Sequence, residues 1–157
     1  MNFEIRPCDF SELELLATQT IFREYANSLE IDLCFQGFDE ELNHLTQIYS
    51  KPQGNIWLVW QNQEVAGSIA VKRLDEKNCE MKRLYLTPSA RGKGLAKQLI
   101  NSAIGFAREA NYQTMKLDTL SSMTAAIQLY LNFGFVSTHQ YVHNPIETAL
   151  FFEKRLL

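Results

Sequence analysis

Between Cys79 and Ala110 the chain switches hydrophobic period across a short glycine loop, and this feature constrains the fold more than any other. Cys79 to Leu86 reads as a strand that Pro88 halts. Leu95, Leu99, Ala103, Phe106 and Ala110 then recur along one helical face that starts near Gly94. Between them lies Arg91-Gly92-Lys93-Gly94. The first N–H groups of a helix have no internal partners and sit at the positive end of its dipole, so this junction can hold a phosphate oxyanion. Glycines permit close approach, and Arg91 and Lys93 add positive charge at the mouth. A tight strand-to-helix turn with no ligand would need the same glycines. The spacing is neither the GxxxxGK[ST] of a nucleotide triphosphatase nor the GxGxxG of a dinucleotide fold.

Around this junction the rest of the chain falls into regular elements. Phe3 to Arg6 reads as a strand. Asp9 and Glu12 resemble a capping box ahead of a helix whose apolar face is Leu13, Leu16, Ile21 and Tyr25, reaching about Leu29. A second helix, capped by Asp39, carries Leu42, Leu45 and Tyr49 until Pro52 and Gly54 end it. Ile56 to Gln61 and Val65 to Arg73 form a hairpin about Gln61-Asn62-Gln63, and Cys79 to Leu86 makes a third antiparallel strand. Met115 to Thr119 is a strand, Thr124 to Phe133 a helix capped by Gly134, and Phe135–Thr138 and Ala149–Leu156 are closing strands. The sum is an α/β sandwich with a mixed, mostly antiparallel central sheet, expected as one domain over residues 1–157.

Composition narrows the function classes. A net charge of −3 lacks the basic excess that nucleic acid binding draws on. No apolar run is long enough to cross a membrane, and Glu4, Arg6 and Asp9 interrupt any secretory leader, so a cytoplasmic protein is expected. Cys8, Cys34 and Cys79 have neither disulfide nor metal-ligand spacing, and no metal is expected. His139 and His143 would share a metal only on a helix, which Pro145 opposes.

Two segments carry a resemblance to a known family. Arg91-Gly92-Lys93-Gly94-Leu95-Ala96 matches, position for position, the acetyl-coenzyme A signature of the GCN5-related N-acetyltransferases, and the preceding Leu84-Tyr85-Leu86-Thr87-Pro88 resembles the end of their fourth strand. Ala125 to Phe135, a helix with Tyr130 followed by Gly134-Phe135, resembles their second signature. The resemblance is clear from about Ile56 to Phe135.

It implies a sheet splayed between its fourth and fifth strands, with acetyl-CoA as co-substrate. Backbone groups of Leu84, Tyr85 and Leu86 would meet the pantetheine, and Arg91, Gly92, Lys93, Gly94, Leu95 and Ala96 the diphosphate. Glu80, or else Asp118, would be the general base, Glu80 being the first choice, and Tyr130 would protonate the leaving thiolate. The implied reaction is acetyl transfer to a primary amine, of a small molecule or a peptide, by direct attack in a ternary complex. The alternative is a catalytically idle acetyl-CoA sensor. Many members have an asparagine before the second-signature helix where this chain has Met123, flanked by Ser122 and Thr124. Phe35, Phe38 and Tyr49 fall where the family's variable second helix shapes acceptor specificity, although core positions suit most of them better. Tyr141 and the two nearby histidines would edge the acceptor pocket. Edge strands near the C-terminus make a homodimer an expectation.

Overall fold

The computed structural model describes residues 2–29, 31–34 and 37–157. The elements run β1 (Phe3–Pro7), α1 (Glu12–Ser28), α2 (Phe38–Asn43), α3 (Leu45–Tyr49), β2 (Asn55–Gln61), β3 (Glu64–Arg73), β4 (Asn78–Leu86), α4 (Leu95–Glu109), β5 (Thr114–Leu120), α5 (Thr124–Asn132), β6 (Val136–Ser137) and β7 (Ala149–Arg155). The strands form a seven-stranded sheet in the order β1-β2-β3-β4-β5-β7-β6. Every pairing is antiparallel except that of β4 with β5. Among the described residues no helix is long and apolar enough to cross a membrane.

Alternation along β2 shows how the sheet acquires two cores. Trp57 and Val59 face a cluster with Leu95, Leu99, Ile100 and Ala103 of α4, whereas Ile56, Leu58 and Trp60 face Ile21 and Phe22 of α1 and Tyr49 of α3. A central strand covered on both faces is apolar at nearly every position, and β2 is buried from Asn55 to Trp60.

The first helices depart from the sequence reading. Ser11, not Asp9, caps α1 by accepting the Glu14 N–H at 3.3 Å, while the Glu14 carboxylate receives the Asp9 N–H at 2.9 Å. Leu13 and Leu16 are 68% and 60% exposed, and the buried face is Glu14, Thr18, Ile21 and Phe22. Glu14 and Thr18 tolerate that face because each is bonded, Thr18 to the Glu14 carbonyl at 2.8 Å. The second helix is two short ones broken at His44, and Gly37 rather than Asp39 precedes the first. Beyond β4 a 3-10 turn, Pro88–Ala90, leads to the glycine loop.

Candidate active site

The site is a fork in the sheet. β4 and β5 pair only through Asn78–Thr114, Cys79–Met115 and Glu80–Lys116. Beyond Glu80 they part. On its other edge β4 stays paired to β3, but with a bulge: Ser68 lies opposite Tyr85 and Ala70 opposite Lys82, and Arg83 takes a φ of 61°. The bulge puts Lys82 and Arg83 next to each other at the mouth of the fork. Above it, the Thr87 N–H bonds to the Ala66 carbonyl at 2.9 Å, so strand alternation turns the peptide of Tyr85 toward β3 and those of Leu84 and Leu86 toward the gap. The Leu86 carbonyl receives Arg91 Nε there at 3.0 Å.

A groove of about 380 Å³ runs along the gap, lined by Leu84, Tyr85, Leu86, Arg91 and Ala96 on one wall and by residues from Ser122 to Leu129 on the other. Its far end is the start of α4. Gly92 and Gly94 hold φ values of 74° and 77°, a region side chains rarely enter, and a Cβ built on either would meet nothing within 4 Å. No side chain caps α4. The helix start is thus open and its first amides face outward. Arg91 folds back over the Tyr85 ring, 5.7 Å from its centre, and Lys93 lies 5.9 Å from the centre of the Phe3 ring.

Deeper in the fork a small cavity of about 20 Å³ is walled by Tyr25, Lys82, Arg83, Leu84, Asp118, Met123 and Tyr130. Asp118 is half-buried and accepts Asn144 Nδ2 at 3.0 Å. Tyr130 is 6% exposed and packs edge-on against Phe135. Burial raises its phenol pKa, and the nearby Tyr25 and Asp118 add to the shift, so the hydroxyl keeps its proton. Glu80 sits below the fork at 2% exposure. Its Oε2 accepts the Tyr141 hydroxyl at 2.6 Å, and Lys82 Nζ stands 3.7 Å from its Oε1. The structure therefore separates the two carboxylates that the sequence offered with Glu80 as first choice: Asp118 faces the cavity and Glu80 is enclosed.

The α1–α3 layer is tied to the bulge by a buried network. Arg83 donates to both oxygens of Glu41, at 3.0 Å and 2.6 Å, Tyr49 donates to the same carboxylate at 2.9 Å, and Ser68 donates to the Arg83 carbonyl at 2.8 Å. Phe38 lies under the guanidinium, 5.4 Å from it. Phe38 and Tyr49 thus belong to the core, and Phe35 lies outside the described residues.

The model of the Acetyltransferase (GNAT) family matches residues 18–135, which span the fork, the glycine loop and α5. This chain belongs to that family. As an acyltransferase of the GNAT fold it is 35% identical to an uncharacterized N-acetyltransferase of Schizosaccharomyces pombe over 148 residues, 92% of this chain and 87% of the relative. Among solved structures it resembles an acetyltransferase from Streptococcus agalactiae, with a TM-score of 0.82 at 22% identity and 98% of each chain covered. It also resembles a GNAT acetyltransferase from Elizabethkingia anophelis solved with acetyl-CoA bound, with a TM-score of 0.64 at 19% identity and 98% of each chain covered. The GNAT sheet, with β4 and β5 parallel and parting, is the architecture expected from the sequence.

Several residues of this GNAT site escape a reading by motif. Tyr25 reads from the sequence as one of an apolar helix face, yet it walls the cavity, with Arg83 5.8 Å from its ring centre. Glu41, Arg83 and Asn144 carry no local signature, because their partners are 42 and 26 residues away. Met123 borders both the groove and the cavity, and Ser122 and Thr124 line the groove beside it. His139 and His143 lie in a non-helical connection, and among the described residues no group of three or more His, Cys, Asp or Glu could hold a metal.

Proposed function

We propose that this acetyltransferase moves the acetyl group of acetyl-CoA to a primary amine by direct attack in a ternary complex. One observation carries the reading: the groove that leads from the open start of α4 shares Leu84 and Met123 with a cavity that holds one carboxylate, Asp118, and two protonated phenols, Tyr25 and Tyr130. The residues fit the co-substrate. Uncapped amides beside two open glycines suit a diphosphate, and the outward peptides of Leu84 and Leu86 suit an extended chain of amides. Tyr85, whose peptide turns to β3, serves through its ring.

Bound acetyl-CoA supplies an acyl group activated as a thioester. The protein must supply a neutral amine, and at pH 7 an alkyl amine with a pKa near 10.4 is unprotonated in only about one part in a thousand. Asp118, which lines the cavity, takes that proton in the proposed reaction, directly or through one water, a role worth roughly 10²- to 10⁴-fold. In this reading Asp118, not Glu80, is the base. Glu80 instead anchors Tyr141 and the connection that carries it. Outward backbone N–H groups of β4 stabilise the carbonyl oxygen as it gains charge. As the C–N bond forms and the C–S bond breaks, Tyr130 gives its proton to the sulfur and regains one from the attacking nitrogen. The products are an amide, a thiol and the proton first taken by Asp118.

The test is a coenzyme-release assay with a panel of amines, run beside calorimetric titration with acetyl-CoA. Release of thiol with at least one amine is the expected result. Tight coenzyme binding with no acceptor turned over would overturn the assignment and leave a sensor.

A further inference from the structure

Resting on that reading, we infer that Asn144 is a positioning residue of the reaction, whose side-chain amide fixes the direction in which the Asp118 carboxylate meets the acceptor. Asn144 lies in the connection between β6 and β7, 26 residues beyond Asp118, and its Nδ2 donates to Asp118 Oδ2 at 3.0 Å. Its own Oδ1 accepts the Ile146 N–H at 3.0 Å, closing a turn about Pro145. That second bond settles which way round the amide sits. A backbone N–H can only donate, so the amide oxygen must face Ile146. The NH2 group must then face Asp118, where an ionised carboxylate can only accept.

The connection that carries Asn144 is fastened to the strands on both sides of the fork. Upstream, the Tyr141 hydroxyl bonds Glu80 of β4 at 2.6 Å, and its ring packs edge-on against Phe151 of β7. Downstream, the Thr148 carbonyl accepts the Ser121 N–H, just past the end of β5, at 2.9 Å, and the Ala149 N–H bonds the Ile146 carbonyl at 3.1 Å. The amide is therefore held in place when it meets Asp118, which lines the fork cavity. Such a support suits a base. Rotation about the last bond of an aspartate side chain is soft, so an unheld carboxylate presents its oxygens over a wide range of directions. One bond from a fixed amide removes that freedom and takes one of about four lone-pair positions on the carboxylate. An amide nitrogen has no lone pair to offer a proton, so Asn144 does not compete for the one that Asp118 takes.

The experiment measures kcat, the KM for acetyl-CoA and the melting temperature of Asn144→Ala and Asn144→Asp, alone and combined with Asp118→Asn, using an amine that the panel shows to be acetylated. Asn144→Asp keeps an oxygen for the Ile146 N–H and replaces the donor by an acceptor, so it separates the turn from the bond to Asp118. Both variants are expected to lose roughly 10- to 100-fold in kcat with an unchanged KM for acetyl-CoA. Combined with Asp118→Asn, neither should lower kcat further, a coupling that general loss of structure would not give. Undiminished kcat in Asn144→Asp, or an equal loss with and without Asp118→Asn, would overturn the inference; a slow Asp118→Asn would in either case keep the proposed base. An undiminished kcat in Asp118→Asn would overturn the base and the inference together. The contact is also read without turnover. In a nitrogen–proton correlation NMR spectrum the Asn144 side-chain amide signals, assigned by their loss in Asn144→Ala, are expected to move in Asp118→Asn. Signals that stay in place would overturn the inference whether or not any amine is acetylated.

Discussion

Arg83 closes a two-pronged ion pair on Glu41 across 42 residues of sequence, and both side chains are almost wholly buried. The pair fastens α2 to the bulge of β4, at the edge of the fork. Replacing one partner leaves a buried charge without its counter-charge, at a cost of about 3–5 kcal/mol. Glu41→Ala is therefore expected to lower the urea midpoint sharply with little change in m. A midpoint within error of the parent would show that the pair contributes nothing net.

The same pair sets an acid limit. Burial pushes the Glu41 carboxyl up, but hydrogen bonds and charge from Arg83 outweigh it and hold the pKa below its ordinary value of 4.5. A carboxyl depressed on folding stabilises the protein fully above that ordinary value, and the contribution fades as pH falls through the folded value. Melting temperature is expected to hold steady above about pH 5 and to fall below it, more steeply for the parent than for Glu41→Gln. Parallel curves for the two proteins would remove Glu41 as the source.

Tyr130→Phe keeps the ring packed on Phe135 and removes one proton. We expect kcat to fall roughly 10- to 100-fold with the coenzyme dissociation constant unchanged. Because the phenol pKa is raised, the parent should show no loss of rate from this residue up to its ordinary value of 10.0. An undiminished kcat in the variant would assign the protonation of sulfur elsewhere.

Asp118→Asn and Glu80→Gln separate the two carboxylates. The first is expected to lose roughly 10²- to 10⁴-fold in kcat while melting near the parent. The second disturbs an enclosed cluster with Tyr141 and Lys82 and should lose stability more than rate per folded molecule. The reverse pattern would make Glu80 the base.

At the glycine loop, Gly94→Glu should abolish measurable coenzyme binding, since it forces a side chain into φ 77° and sets negative charge where the diphosphate is proposed to lie. Gly94→Ala carries only the backbone strain, about 1 kcal/mol or somewhat more. Titration calorimetry should therefore rank parent, alanine and glutamate in that order. Equal affinities would detach the loop from the coenzyme.

What the sequence determined by itself is whatever depends on neighbours along the chain. The change of period at Arg91–Gly94, the run of β2 and the glycine after α5 each act within a few residues, and all appear where local preference puts them. The N-terminal helix shows the limit: Leu13 and Leu16 keep helical spacing with Ile21, yet they face solvent, and the hydrogen-bonded Glu14 and Thr18 join Ile21 and Phe22 on the buried face. Only the tertiary structure decided the site. Where β4 leaves β5 fixes which carboxylate meets the cavity, and that point follows strand pairing and a bulge at Arg83, a residue type with no preference for positive φ. Glu80 and Asp118 are equivalent as strand acids. Pairing that stops at Glu80 encloses one and opens the other, because a charge buried among packed strands needs partners while a charge at their divergence can meet a substrate.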